Sequence, residues 1–153
     1  MPAAPEMEQA TYLAFSLDDT EYAVAIEHVT EVVRMQRIVP VPDLPPHLRG
    51  VINLRSRVIP VMDVRARFGM ELRAYSDRTM IVLVEVQDSA IGLIVDAVRG
   101  IVDLSVSATA DTGNVVLDLA HTERGVTVLL DVERLVFGSG SPASVQSQPS
   151  AGA

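Results

Sequence analysis

Short apolar runs separated by small groups of polar residues make up most of the chain from about residue 11 to residue 137. The runs YLAFSL and YAVAI flank the polar stretch DDTE in residues 12–26, and GVINL and VIPVMDV flank RSR in residues 50–64. Apolar runs of strand length joined by a few turn-forming residues are typical of β-hairpins. Valine dominates these runs, and β-branched residues favour strands. The pattern therefore predicts an all-β protein.

The hydrophobic pattern occurs twice, at an offset of about 68 residues. Two pairs of segments match at this offset: residues 12–33 with 80–102, and residues 58–68 with 126–136. The first match pairs Glu27 with Asp96, and the second pairs Asp63 with Asp131. Asp63 and Asp131 each precede a short run of helical character, in the position that an N-cap occupies. The two matches at one offset indicate a duplicated β-unit, with a short helix at the end of each copy.

Two such copies have room for only about 65 residues each, which is small for a sandwich of two sheets. Strands in so small a unit need closure to hide their edges, and this favours two small β-barrels packed against one another. We expect one domain over residues 11–137, with the first barrel mainly in 20–75, the second mainly in 80–130, and terminal segments that cross between them. The tails, 1–10 and 138–153, bury too little apolar surface to offset their ordering entropy, so we expect them to be disordered.

Composition narrows the functions that the chain can have. Its net charge is −8 at pH 7, which argues against a nucleic-acid partner because that affinity depends on basic residues. The chain has no cysteine, and its histidines lack the spacing of a metal site: His28, His47 and His121. It also lacks phosphate-loop and nucleophile motifs, so we expect no metal, no cofactor and no catalytic residue. No signal peptide and no apolar run of about 18 residues is present, which indicates a cytoplasmic protein without membrane insertion.

Positive charge is concentrated in RGVINLRSRVIPVMDVRARFG, which has five arginines among apolar strand residues. Arg55 and Arg57 fall in the predicted turn RSR, so their charges lie at a hairpin tip. Arg55 is interpreted in two ways. It either belongs to a solvated tip with a salt bridge to Glu31 or Asp63, or it lies beside an apolar surface that binds a protein, where arginine is enriched. Composition alone does not separate the two interpretations.

Three segments resemble the CheW family of bacterial chemotaxis coupling proteins: YLAFSLDDTEYAVAIEHVTEVVR, HLRGVINLRSRVIPVMDVRARFG and IGLIVDAVRGIVDL. The similarity extends from about Tyr12 to Phe137. It implies two small SH3-like β-barrels around a shared hydrophobic core and a protein without catalytic activity. It also implies an adaptor that links methyl-accepting chemotaxis receptors to the regulatory domain of the histidine kinase CheA. Such a protein is cytoplasmic and reaches the membrane array only through its partners.

The resemblance also assigns roles to residues. Arg55 matches the arginine of the family's N-L-R motif, and Glu31, with Val29, lies where the family places receptor and kinase contacts. The expected partner-binding residues are Val29, Glu31, Asn53, Leu54, Arg55 and Arg57. The family usually has glycine after N-L-R, where this chain has Ser56. A side chain there disfavours a left-handed turn.

Four further residues are expected to shape the fold: Gly50, Pro60, Asp63 and Gly92. Gly50 marks the tight entry of its strand, and Gly92 matches a glycine at which a side chain would crowd the second barrel. Pro60 has no N–H to donate to a central ladder, so its strand is expected at a sheet edge or at a bulge.

Two other functions remain open from the sequence. One is a CheW paralogue in a different chemosensory pathway, such as pilus control. The other is a double β-barrel that binds a small molecule between its halves. Runs that are apolar on both faces, such as MIVLVEV and AIGLIVDAV, favour a filled core and protein contacts over a ligand-binding interior.

Overall fold

The computed structural model describes residues 7–107 and 113–138. In chain order the elements are β1 (Met7–Leu17), β2 (Thr20–Ala25), a 3₁₀ turn (Ile26–His28), β3 (Val29–Arg34), β4 (Leu48–Leu54), β5 (Arg57–Asp63), α1 (Val64–Arg67), β6 (Met80–Val86), β7 (Ser89–Val95), β8 (Ala97–Ser107), β9 (Val116–Thr122), β10 (Gly125–Leu130) and α2 (Val132–Phe137). Strands dominate and the two α-helices are short, which confirms the predicted all-β class.

The strands form two five-stranded sheets. The terminal sheet has the order β8-β1-β2-β10-β9, and the central sheet has the order β3-β6-β7-β5-β4. Most neighbours are antiparallel, but β10 pairs with β2 in parallel and β5 pairs with β7 in parallel. With β1 equivalent to β6, β2 to β7, β3 to β8, β4 to β9 and β5 to β10, the two sheets have the same strand order.

The duplication is also visible in the register. Val61 pairs with Gly92 in the central sheet, and Leu129 pairs with Ala23 in the terminal sheet, at the positions that the repeat makes equivalent. Each sheet combines the first hairpin of one repeat with the last three strands of the other. The expected division into 20–75 and 80–130 therefore does not follow the sheets. The hairpins β1–β2 and β6–β7 have changed places, and no local pattern in the sequence signals that exchange.

Three hydrophobic clusters account for the apolar character of the strands on both faces. The largest contains buried residues of both sheets, including Phe15 and Leu17 from β1 and Leu93 from β7. A second cluster, with Ile52 and Ile81, belongs to the central sheet alone. A third contains Tyr12, Ala23, Leu104, Ala120 and Leu129 of the terminal sheet. Each sheet is thus buried on its own cluster and on the shared core between the sheets.

Both predicted N-caps are present. Asp63 accepts a hydrogen bond from the Arg65 N–H at 2.9 Å, and Asp131 accepts one from the Arg134 N–H at 3.2 Å. The other carboxylate oxygen of Asp63 accepts a hydrogen bond from the Tyr75 hydroxyl at 2.9 Å. Burial, followed by this contact with Asp63, raises the pKa of Tyr75 to about 12. Asp63 therefore holds both the start of α1 and the segment that follows the helix.

Pro60 does not mark an edge strand, because β5 lies between β7 and β4. The edge alternative is therefore wrong, while a β-bulge in the partner strand β4 lies beside Pro60. A central position is tolerated because β7 pairs with β5 only along Val61–Asp63, so the missing N–H of Pro60 falls outside the parallel ladder. Antiparallel pairing with Val51 accommodates it on the other side, next to a register shift between Leu48 and Gly50.

The ends of the fold also differ from the expectation. Residues 7–10 belong to β1 and pair with β8, so the expected N-terminal tail is too long. Main-chain ladder bonds hold this polar stretch, and composition does not reveal them. Gly138 follows α2 and donates its N–H to the Arg134 carbonyl at 2.8 Å. Residues 1–6 and 139–153, which hold the rest of the two expected tails, lie outside the described residues.

The β4–β5 turn is left-handed although it has no glycine. Arg55 has φ 50° and Ser56 has φ 68°, so the serine adopts the conformation that the usual glycine would favour. Left-handed backbone costs a residue with a side chain about 1–2 kcal/mol.

Ser56→Gly is expected to raise the free energy of unfolding by about 0.5–1 kcal/mol, because relief of the left-handed strain exceeds glycine's greater entropy loss on folding. Chemical denaturation measures the change. Ser89→Gly is the control, since Ser89 is an exposed strand residue outside the set with positive φ. Ser89→Gly should lower stability, and a loss of stability in both variants would contradict the explanation.

Candidate functional site

The tip of the β4–β5 hairpin lies against β3, although these strands are at opposite ends of the central sheet's strand order. A hydrogen-bonded ion pair marks the contact, in which Arg55 Nη2 donates to Glu31 Oε2 at 2.5 Å. The structure therefore joins the two residues that the resemblance singled out, and it selects Glu31 over Asp63 as the salt-bridge partner of Arg55. We call this region the tip site and define it by Glu31, Leu54, Arg55 and Arg57.

All four tip-site residues line a small cavity of about 90 Å³, together with Thr30, Ile59, Leu83 and Ala90. Ile59 and Leu83 are buried and give the cavity an apolar floor. The sequence reasoning missed Thr30, whose hydroxyl donates to the Leu83 carbonyl at 3.1 Å. A register shift between Val29 and Glu31 places Thr30 and Glu31 at the same cavity. Strict alternation along a strand does not predict such a bulge.

Two expected partner-binding residues lie outside the tip site. Val29 is half-buried and packs against the shared core, so it anchors the start of β3 to that core. Asn53 is exposed on the face of β4 opposite to Ile52 and pairs in register with Val58. The structure thus brings together four of the six expected residues and separates these two.

Charge at the tip site is solvated. The Arg55 side chain is 69% exposed and that of Glu31 is 33% exposed. The hydrogen bond from Arg55 lowers the pKa of Glu31, and the same hydrogen bond raises the pKa of Arg55. Arg57 is exposed, and in the described ranges its side chain takes part in no hydrogen bond or ion pair. Exposed ion pairs add little to stability because water screens them, so these charges are accessible to a partner.

Exposed apolar side chains surround the opposite face of the hairpin. Val58 is 68% exposed, and Val39 and Val41, in the segment that precedes β4, are exposed as well. Val39 forms a two-hydrogen-bond bridge with Val51 on β4, which joins that segment to the hairpin. A rim of arginines next to accessible aliphatic residues has the composition of a protein-binding surface.

The other arginines of the same sequence stretch have structural roles. Arg65 is buried and forms ion pairs with Asp18 and Asp96. Arg67 is buried too, and its guanidinium donates to the carbonyls of residues at the end of α2: Arg134, Leu135 and Gly138. Burial lowers the pKa of Arg67. The partners of Arg65 and Arg67 are distant in the sequence. The sequence therefore predicted a helical turn at these arginines but not the residues that they contact.

A larger cavity of about 320 Å³ adjoins the Arg65 cluster. Two of its aspartates are already engaged, because Asp18 and Asp96 both pair with Arg65 and Arg73. Within the described ranges, no group of three His, Asp or Glu side chains is arranged to hold a metal ion. Likewise, no helix in this part of the chain is long and apolar enough to cross a membrane.

Comparison with known proteins settles the family. The family model described as "CheW-like domain" matches residues 11–137. The chain belongs to the CheW family. Its CheW fold matches the crystal structure of the scaffolding protein TtCheW from Thermoanaerobacter tengcongensis with a TM-score of 0.73 and 30% identity, over 86% of this chain and 97% of that chain. The structure and the comparison together confirm the fold that the resemblance implied.

Curated relatives agree with this assignment. The chemotaxis protein CheW of Rhizobium meliloti (strain 1021) is 34% identical over 118 residues, which cover 76% of each chain. Protein PilI of Pseudomonas aeruginosa (strain PAO1) is 31% identical over 101 residues, which cover 65% of this chain and 57% of PilI. Membership of the CheW family thus assigns the chain the role of a chemotaxis coupling adaptor.

Glu31→Gln and Arg55→Gln are each expected to leave the melting temperature unchanged within error, because both side chains exchange an exposed ion pair for water. Thermal unfolding followed by circular dichroism measures this. The double variant serves as the control for new contacts made by either glutamine. A large loss in each single variant that the double variant does not increase would show that the pair holds the hairpin in place.

Proposed function

We propose that the chain couples the cytoplasmic tips of methyl-accepting chemotaxis receptors to the regulatory domain of the histidine kinase CheA, without catalysing a reaction. One observation carries the proposal: on a CheW fold, Arg55 and Glu31 form an accessible charged rim over an apolar cavity. Arginine and exposed aliphatic residues together favour a protein partner over a small substrate.

The tip site supplies the contact with partners in this proposal. A receptor tip is a helical hairpin, and such a surface binds by apolar contacts with charged residues at the rim. Leu54 and the cavity floor offer the apolar part, while Arg55 and Arg57 offer cations to acidic side chains. The exposed valines on the opposite face of the hairpin offer a second surface, which suits the kinase domain. Asn53 belongs to that second surface, and Val29 acts through the position of β3.

Charge and chemistry agree with an adaptor in the cytoplasm. The net charge of −8 disfavours nucleic acid as a partner. An adaptor of this kind would need no cofactor, metal or catalytic residue. We place the chain in the cytoplasm, attached to membrane arrays only through its receptor and kinase partners.

A second candidate is the same adaptor role in a pilus-control pathway. The similarity to PilI supports this variant. The tip site would make the same kinds of contact in a pilus-control pathway, since only the identities of the receptor and the kinase differ. Binding of a small molecule has less support, because acidic side chains already engage Arg65 and Arg73 at the larger cavity.

Calorimetric titration into the CheA regulatory domain of the same organism tests the proposal, at two salt concentrations. Saturable binding that weakens about tenfold or more in Arg55→Glu, and weakens with salt, is the expected result. Arg99→Glu is the matched control, because it makes the same charge change at an exposed residue of β8 in the terminal sheet. Binding only to the kinase of a pilus system would select the second candidate. Binding to neither kinase, or equal effects of the two variants, would refute the adaptor mechanism at the tip site.

A further inference from the structure

The chain passes between the two sheets at two places among the described strands. It leaves the terminal sheet after β2 and enters the central sheet through the 3₁₀ turn Ile26–His28. It returns after β7 through Asp96, which lies between β7 and β8. The internal repeat makes these crossovers equivalent, since it pairs Glu27 with Asp96. The two crossovers can therefore be compared residue by residue, as equivalent positions of the repeat.

The crossover at Asp96 is tied to both sheets. Arg65, which follows β5 of the central sheet, donates from Nε to one Asp96 oxygen at 2.9 Å and from Nη2 to the other at 2.8 Å. The Asp18 N–H, in the β1–β2 turn of the terminal sheet, donates to Asp96 at 2.8 Å. Arg65 and Arg73 both pair with the Asp18 carboxylate, and Arg65 also donates to the Glu71 carbonyl at 2.7 Å. Two planar hydrogen bonds from a buried guanidinium hold a carboxylate in a fixed orientation.

The crossover at Ile26–His28 lacks such polar ties, although Ile26 packs against the shared core. The repeat places Glu133 where Arg65 stands, and Gln87 where Asp18 stands. These two residues meet as well, since Gln87 Nε2 donates to Glu133 Oε2 at 2.5 Å, but the contact is exposed and contains no cation. The Glu27 side chain is exposed, and within residues 7–107 and 113–138 it takes part in no side-chain hydrogen bond or ion pair. Because Glu133 stands where the other repeat has Arg65, the crossover at Ile26–His28 has no equivalent of the Arg65–Asp96 ion pair.

We infer that the two sheets are fixed to each other at the Asp96 crossover, and that the crossover at Ile26–His28 is the joint at which their relative orientation yields. The shared core resists separation of the sheets, so the movement is a small rotation about the Asp96 end. Local opening in proteins concentrates where few buried contacts hold the chain.

The yielding joint is next to the tip site. Strand β3 begins at Val29, directly after the 3₁₀ turn, and carries Glu31. A partner that displaces Glu31 therefore moves β3 at the crossover that yields. The displacement reaches the terminal sheet through β2, which precedes the 3₁₀ turn. This consequence rests on the proposed function, whereas the unequal stiffness of the two joints does not.

Residue-level hydrogen exchange on the free protein tests the inference without any partner. Amides in residues 95–99 are expected to be at least about tenfold more protected than those in residues 26–30 after correction for intrinsic rates. Asp96→Asn removes the charge that Arg65 binds and should lower the protection of residues 95–99 and of the Asp18 amide toward the level of residues 26–30. Glu27→Gln, the same acid-to-amide change at the equivalent position, should alter neither segment.

Equal protection of the two segments in the unaltered protein would overturn the inference. The same conclusion would follow if the contrast survived in Asp96→Asn, or if Glu27→Gln reduced protection as much as Asp96→Asn. Because the measurement uses no kinase or receptor, its result is independent of whether the tip site binds CheA.

Discussion

Gly50→Val is expected to lower the free energy of unfolding by about 3 kcal/mol or more, since it combines backbone strain with overpacking. Gly50 has φ +141°, a conformation that residues with a side chain rarely adopt. A Cβ there would lie 2.3 Å from the Val39 carbonyl oxygen and 2.9 Å from Ile38 Cγ2. That oxygen accepts the Val51 N–H, so the collision also breaks the bridge that joins the preceding segment to β4. Denaturant unfolding at constant m-value measures the loss.

Gly100→Val separates the two causes. Gly100 has a similar φ of +129°, but no atom beyond its two chain neighbours lies within 4 Å of the Cβ that a substitution would add. It should therefore show only the conformational cost, about 1–3 kcal/mol. Equal losses in the two valine variants would show that close approach to Val39 contributes nothing.

Arg65→Met is expected to cost about 3 kcal/mol at neutral pH, the lower range for removal of one partner from a buried ion pair. The Arg65 side chain is 5% exposed, while those of Asp18 and Asp96 are 41% and 21% exposed, so water relieves part of the loss. Methionine is unbranched and flexible like arginine, which limits the cavity contribution. Arg73→Met is the control, because Arg73 contacts the same two aspartates from a side chain that is 59% exposed.

The effect of Arg65→Met should depend on pH. Burial by itself would raise the pKa of Asp96, but hydrogen bonds from Arg65 and from the Asp18 N–H, with attraction to Arg65 and Arg73, bring it below the ordinary value of 3.8. A carboxyl with a depressed pKa in the folded state stabilises the fold above its unfolded pKa, and that contribution disappears as the pH falls through the folded value. The difference in unfolding free energy between the two proteins should therefore shrink below about pH 4. A difference that stays constant from pH 7 to pH 3 would contradict the role of the Asp96 charge.

Local features of the fold were predictable from the sequence. The N-caps at Asp63 and Asp131 follow from residue type and position alone, and so do the hairpins, although the β1–β2 turn has two residues where four polar residues were expected. The exchange of hairpins between repeats was not predictable, because it depends on pairing such as that of Glu21 with Thr127. The periodicity of hydrophobic residues reports local structure and does not show which distant strands pair.

The candidate site shows the same division. Resemblance located Glu31 and Arg55, and their proximity required the tip of the β4–β5 hairpin to lie against β3. Alternation along β3 did not predict Thr30, since a bulge changes which residues face the cavity. In the sequence, Arg65 and Arg67 could not be distinguished from Arg55 and Arg57 of the same arginine-rich stretch. Only their hydrogen bonds to distant residues show that they are structural.

The exchange of hairpins has a consequence for biosynthesis. Strand β2 lies between β1 and β10, so its second edge stays unpaired until β10, which begins at Gly125, has left the ribosome. Neither repeat makes a complete sheet from its own strands, and a protein cut between the repeats would present open β-edges in both fragments. Many pairings that are distant in sequence also slow folding. The nascent chain therefore depends on β9 and β10 to convert an aggregation-prone intermediate into the folded adaptor.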